Sequence, residues 1–362
     1  QKLKPAERVE HLKDVGGELL KVLESGFDPI EKMKRIIKAG EDTFLISKSA
    51  LVNLDALAKT ERPETLELLR QNQKIKETAR ESRDIIANVT KNLSEKMETR
   101  RFLSKLETYK DGSTLSHINR VFIQTTKFLL FLNHNVKHGL AEKIARLFEP
   151  GQKYERYYKL PFAKVMKDGF RHLSDDEITT SSFSALLHDI GKIPHIDYFE
   201  SGAAYDRSTI ELHAIKGYEM LAHTRDYPAE TAFVAGSHHE YGGHPSGYGV
   251  RRSVKRYQNP NPRSSTPFVL TYDLDDITSF VARDHFLAEV VALVDVFDAM
   301  SCVRPYREKT HTEKEALNLM KDMTVQDHKL NLLLYDLFVT FVASDLSKDS
   351  LRQEFDPSSL IR

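Results

Sequence analysis

The chain has 362 residues, with 53 Lys and Arg against 53 Asp and Glu, so its formal charge is zero with histidine neutral. That balance excludes a protein held to a nucleic acid polymer by bulk charge, and 40% hydrophobic with 29% charged residues excludes a disordered chain. The single cysteine, Cys302, excludes an intrachain disulfide and a cysteine-built zinc cluster.

At roughly 100–200 residues per domain, the length fits two domains or one large domain with an appendage. Residues 1–112 read as a helical N-terminal region, with apolar residues at spacings of three and four from Leu66 through Ile75, Ala79, Ile85, Ile86, Val89 and Leu93 to Leu103. The run is long for one globular helix. It fits a regulatory stalk or homodimer seam, and equally two ordinary helices packed on the next domain. Pro63 after Thr60-Glu61 suits a first helical turn, and Asp42–Leu54 has room for a short strand. Asp111-Gly112-Ser113 marks the boundary to a second region, 113–362. There the pattern predicts helices over 114–148, 158–168, 177–190, 208–224, 228–239, 284–302 and 312–345. The fold class is mainly α. A polar insertion near 250–285 carries Arg251, Arg252, Lys255, Arg256 and Arg263. No apolar run approaches the ~18–20 residues of a membrane helix. No signal peptide is visible, and a cytoplasmic location is the default expectation, although the chain begins at Gln1.

Histidine is the unusual residue, with eight of 15 lying between His172 and His244. Leu186-Leu187-His188-Asp189-Ile190-Gly191-Lys192 ends a helix in adjacent His and Asp, and Gly191 suits a helix stop. An ionised Asp there is costly to bury unless paired or metal-bound. His213 follows in a helical context and His238-His239 after a further apolar patch. Asp295 and Asp298 then share one face of a run too apolar to face water. Several histidines and carboxylates on separate helices form the pattern of a metal site in a helical core. Imidazole and carboxylate without thiolate suit iron, manganese or zinc.

His188-Asp189 with Lys192, His213-x-x-x-Gly217, His238-His239-Glu240, Gly247-Tyr248, Asp295-Val-Phe-Asp-Ala-Met and Arg304-Pro-Tyr-Arg307 together resemble the HD-GYP domains, HD-superfamily phosphodiesterases that hydrolyse cyclic di-GMP. The resemblance covers about 114–310. It implies an HD-type helical fold and hydrolysis of cyclic di-GMP to pGpG, or onward to GMP, by a hydroxide activated between two divalent metals, with iron expected and manganese the alternative. It also implies His117, His188 and Asp295 on one metal, His213, His238 and His239 on the other, and Asp189 bridging them. His117 is the best match to the family's opening histidine, with His134 and His138 as rivals. The 71-residue gap from His117 to His188 requires an insertion near 134–175. A third metal in some members needs a Glu where this chain has Ser113, so two metals are expected.

Lys192 is placed to give positive charge to a non-bridging phosphate oxygen. Arg304 and Arg307 would grip the substrate phosphate, and Tyr248 would contact substrate. The signature loop departs from the family: Tyr241-Gly-Gly-His-Pro-Ser-Gly-Tyr-Gly249 has an extra residue, lacks the Asp and ends Gly-Tyr-Gly. Loss of the proline frees a φ angle and loosens the loop. The arginines of the insertion could close as a lid over a guanine dinucleotide, or form a solvated loop. His172, His195, His223 and His244 match no ligand position. Two rivals stay open: an HD phosphohydrolase for another nucleotide, and a receptor that binds cyclic di-GMP without cleaving it.

Overall fold

The structure is a computed structural model, and it describes residues 5–24, 29–60, 73–95, 113–165, 171–195, 207–224, 226–241, 244–250, 282–302 and 310–346. Among these, every regular element is helical. Three N-terminal helices come first: α1 (Pro5–Glu24), α2 (Pro29–Thr60) and α3 (Gln73–Glu95). Next come α4 (Thr114–Lys137), the short α5 (Leu140–Arg146), α6 (Lys153–Tyr158) and α7 (Phe162–Val165), and then α8 (Asp175–Leu187). A 3-10 turn, Ile190–His195, leads on to α9 (Arg207–Thr224) and α10 (Ala229–Ser237). The last are α11 (Ala282–Ser301), α12 (Glu313–Val325) and α13 (Leu332–Leu346).

Several sequence expectations are corrected: the helix expected over 312–345 is two, α12 and α13, and that expected over 158–168 is represented by the end of α6 and the short α7. Asp42–Leu54 lies inside α2 and forms no strand. Its buried residues, Asp42, Thr43, Phe44, Ile46, Ser47, Ala50 and Leu51, recur at helical spacing, so the buried face outweighs the local β-branched content. The expected helix over 114–148 is two helices, broken where Gly139 takes a φ of 80°. Pro63 and the run beyond Glu95 to Lys110 fall outside the described residues.

α4 and α8 are buried nearly all round and position the site. α8 begins with a capping box, in which Ser174 Oγ accepts from the Glu177 amide at 3.2 Å and the Glu177 carboxylate accepts from the Ser174 amide at 2.8 Å. Asp175, Asp176 and Glu177 in its first turn oppose the positive end of the helix dipole. Its interior is rich in small hydroxyl residues that bond back to the turn before: Ser181 to Glu177, Ser182 to Ile178 and Ser184 to Thr180. Satisfied this way, they let neighbouring helices approach closely without orphaned polar groups. Asn133 of α4 pins the entry to α8, bonding both the amide and the carbonyl of Leu173.

Two apolar clusters flank this pair. One joins Phe128 and Phe131 of α4 to Val290 and Val294 of α11 and Phe338 and Phe341 of α13. The other joins Leu12, Ile36, Phe44, Ile86 and Val89 of the N-terminal helices to Phe183, Leu186, Leu187 and Ile190. The stripe Ala79, Ile85, Ile86, Val89, Leu93 of α3 is therefore buried against other helices of the same chain. No described helix is long and apolar enough to cross a membrane.

Candidate metal centre

Five helix-ending or helix-borne segments converge on one buried cluster. His117 stands in the first turn of α4, and His188-Asp189 follow the last residue of α8. His213 lies within α9, His238-His239 follow α10, and Asp295 lies within α11. All seven of these side chains are buried.

Asp189 sits at the centre. Its Oδ2 lies 3.4 Å from His117 Nε2 and 3.5 Å from His188 Nε2, while its Oδ1 lies 3.3 Å from His213 Nε2 and 3.8 Å from His238 Nε2. Asp295 Oδ1 is 3.1 Å from His117 Nε2, and its Oδ2 is 3.8 Å from His239 Nε2. The donor atoms fall into two groups that could each hold a cation: His117, His188 and Asp189 in one, His213, His238 and His239 in the other.

The other ring nitrogens explain why every Nε2 points inward. His188 Nδ1 donates to the Ala185 carbonyl at 2.7 Å, His213 Nδ1 to Ile210 at 2.5 Å, and His238 Nδ1 to Ala235 at 3.0 Å. A carbonyl only accepts, so the proton is on Nδ1 and the Nε2 lone pair is left for a cation. Burial pushes the His188 imidazole down to about 4 and that of His213 to about 3. Burial likewise holds His238 below the ordinary range, and His239 well below it. These rings are therefore neutral, the form that binds metal. Burial alone would raise the Asp189 carboxyl, but the Lys192 ammonium beside it outweighs that and holds it well below the usual range. The same contest at Asp295 is decided by His117.

These groups fit cations on a structural ground. His188 Nε2 and Asp189 Oδ1 are buried without a hydrogen bond, an arrangement costly for a carboxylate oxygen unless something positive meets it. The donor set is imidazole and carboxylate, suited to iron, manganese or zinc. Cys302, buried beside Asp298, donates its thiol to that residue at 3.4 Å.

Asp298 is the residue that sequence reading left without a role. Its Oδ2 accepts from His117 Nδ1 at 2.7 Å, and its Oδ1 accepts from Arg120 Nε at 2.6 Å. Burial is again outweighed, here by His117 and Arg120, and the carboxyl stays far below its ordinary value. Asp298 thus orients His117, and Arg120 balances the charge. The signal was present as two buried acids three apart on one helix and an Arg three after the His. Spacing alone does not say which acid faces the cation.

Gly191 is not a left-handed helix stop, since its φ is not among the positive ones. It is a contact point: a Cβ there would lie 1.9 Å from the His213 carbonyl oxygen and 2.5 Å from the Gly217 amide. Only glycine lets the turn after Asp189 lie directly against α9, which carries His213. Lys192 Nζ reaches Asp189 Oδ2 at 2.5 Å. The variant loop folds back on the site, with the Tyr248 amide bonding the His239 carbonyl at 2.9 Å. The Tyr248 ring centre lies 4.6 Å from that of His239 and 5.8 Å from that of His213.

Other candidates lie elsewhere. The rings of His134 and His138 lie tilted against each other with centres 4.3 Å apart, and His134 is 17 residues along α4 from His117, about 25 Å at 1.5 Å per residue. Ser113 caps α4, accepting from the Ser116 amide. His172 is exposed, and His244 Nδ1 accepts from the Ser246 amide. Arg304, Arg307 and the arginines of 251–263 fall outside the described residues, as do the side chains of His195 and His223.

No curated protein and no solved structure matches the chain. Residues 162–300 match the family model for the HD domain, a stretch that holds Asp189, Asp295 and every clustered histidine except His117. The chain therefore carries an HD domain, and this supports a metal-dependent phosphohydrolase activity.

Proposed function

We propose that this protein is an HD-GYP-type phosphodiesterase that hydrolyses cyclic di-GMP to pGpG, or onward to GMP. The observation that carries the reading is the bridging position of Asp189, with one carboxylate oxygen toward each histidine group. In this reading His117, His188 and Asp295 hold one divalent cation, and His213, His238 and His239 the other. Asp189 is shared, with iron expected and manganese the alternative. Two such cations supply an activated water at neutral pH and neutralise charge on a phosphodiester.

The chain's own residues do the remaining work. Lys192 has three donors and Asp189 engages one, so its ammonium can also meet a non-bridging phosphate oxygen. Tyr248, held over His239 and His213, forms a wall for the substrate beside the scissile bond. Arg304 and Arg307, three and six residues after the last residue of α11 in sequence, are proposed to clamp phosphate bidentately. The order of motifs from His188 to Arg307 supports this subfamily over other HD phosphohydrolases. The N-terminal helices are proposed as its regulatory part, in a protein of the cytoplasm.

The test is turnover of cyclic di-GMP by iron- and manganese-loaded protein, with Asp189→Asn as the control. Linear pGpG or GMP is expected from the native chain, and the variant should be inactive and metal-poor. Absence of product from both loaded forms refutes the substrate assignment. Cleavage of another nucleotide, or tight binding of cyclic di-GMP without product, would replace it by one of the two rivals.

A further inference from the structure

Five histidines face the cation sites, and four of them are held from behind by groups that only accept. His188, His213 and His238 donate from Nδ1 to backbone carbonyls, and His117 donates to the Asp298 carboxylate. Such partners fix the tautomer, because neither a carbonyl nor an ionised carboxylate has a proton to give. His239 differs. Its Nδ1 lies 3.1 Å from the Tyr241 hydroxyl, a group that can accept or donate. Only the arrangement in which the hydroxyl oxygen accepts from Nδ1–H leaves the Nε2 lone pair for a cation.

Tyr241 reaches that nitrogen through an uncommon backbone. Its φ is 46°, in the left-handed region that a bulky residue seldom occupies. The turn around it is tied by hydrogen bonds: the Glu240 amide donates to the Ser237 carbonyl at 2.9 Å, and the His244 amide donates to the Tyr241 carbonyl at 2.9 Å. A sparsely populated conformation persists only where its surroundings over-determine it, and such positions cluster at functional sites. This one lays the Tyr241 ring edge to face against His239, with centres 5.7 Å and planes 67° apart. The rest of the ring packs on the apolar cluster that joins α4, α11 and α13, and lines a cavity of about 360 Å³ beside the centre, whose other walls include Tyr157, Tyr158 and Asn331.

We propose that Tyr241 is the positioning residue of His239: its hydroxyl accepts from Nδ1–H and so turns Nε2 toward the cation shared with His213 and His238. The proposal rests on the two-cation part of the reading above and is independent of which nucleotide is cleaved. Tyr241 opens the stretch in which the loop departs from the HD-GYP pattern, so the resemblance assigns it no role.

The test compares the full native chain with Tyr241→Phe, which keeps the ring and removes only the hydroxyl. Iron and manganese are the probes, with bound metal counted per chain against a competing chelator. The variant should hold one metal as the native chain does and the other about 10–100-fold more weakly, the scale of losing an outer partner of a metal ligand. A merely structural role would not confine the effect to one ring, and two further readouts show whether it is confined. Ring-nitrogen NMR of the metal-free protein should show the His239 signals moved by Tyr241→Phe and those of His117 and His188 unmoved. In a His239→Asn background, Tyr241→Phe should cost no further affinity, since the group that it positions is gone. The melting temperature of the metal-free chain reports that the fold persists. Native affinity for both metals in Tyr241→Phe, unmoved His239 signals, or an equal further loss in the His239→Asn background overturns the assignment. A native chain that takes up fewer than two metals overturns it together with the two-cation reading. Two metals, one of them dependent on Tyr241, in a protein that leaves cyclic di-GMP intact support the assignment and sink only the choice of substrate.

Discussion

Replacing Asp298 with Asn separates the support of the metal centre from its ligands. Asp298 is fully buried and accepts from His117 Nδ1 at 2.7 Å and Arg120 Nε at 2.6 Å, besides the Cys302 thiol at 3.4 Å. The isosteric amide keeps one acceptor oxygen but turns an NH2 toward the other donor and removes the negative charge. Two costs follow. Arg120 loses the buried carboxylate it pairs with, and breaking a buried pair from one side costs about 3–5 kcal/mol. His117 loses the group that fixes its tautomer and ring angle, and loss of such an outer partner weakens metal binding by about 10–100-fold, or about 1.4–2.8 kcal/mol. Asp298→Asn should therefore melt at lower temperature and retain one tightly held metal per chain, with the second released to a chelator. Adding Arg120→Gln removes that cation, so the double variant should regain stability while the metal affinity stays low. Wild-type affinity for both metals in Asp298→Asn would refute the role given to Asp298. Full recovery of affinity in the double variant would show that the defect was one of stability alone.

Two further outcomes follow from the geometry. Gly191→Ala forces a methyl into backbone atoms of α9, so it should lower stability by about 1–3 kcal/mol or more and reduce metal content, since the displaced segment carries His213; an unchanged melting temperature would contradict the close approach. Burial pushes the Asp336 carboxyl above 3.8 against the pull of Lys153 and Tyr154. A raised folded value means its contribution is fully present below the unfolded value and is lost as pH rises through the folded one. Urea midpoints should thus show Asp336→Asn gaining on the native protein as pH climbs from 3.8; a difference that does not vary with pH refutes the assignment.

The residues that the structure gathers into the buried cluster were legible because metal chemistry needs few residue types and places them where charge is otherwise forbidden. His188-Asp189 ending an apolar stretch and Asp295 inside another announce themselves by the cost of burying them. The role of Asp298 was not legible, since the same i, i+3 spacing serves a ligand and an orienting carboxylate alike. Gly191 was misread for a related reason: a glycine after a helix end fits a stop and a close approach equally well, and only the position of α9 decides. The cavity beside the centre was invisible to sequence. Its tyrosines at 157 and 158 and its Asn331 come from elements joined only by tertiary packing, and helical periodicity carries no information about which faces meet.

The N-terminal helices show where a pattern stops short of an architecture. An apolar stripe at spacings of three and four is the same whether a helix stands in a stalk, pairs with a second copy or lies on its own domain. In the structure that stripe meets Leu186, Leu187 and Ile190 in one apolar cluster. Those three residues immediately flank His188-Asp189. The turn that presents the bridging carboxylate is therefore bedded in side chains from both regions. A protein interior is close-packed and transmits displacement instead of absorbing it. A shift of α2 or α3 cannot leave Leu186, Leu187 and Ile190 in place, and these residues set the direction in which Asp189 offers its two oxygens. A displacement of α2 or α3 thus has a direct mechanical route, through Leu186, Leu187 and Ile190, to Asp189, whose two oxygens face the two histidine groups.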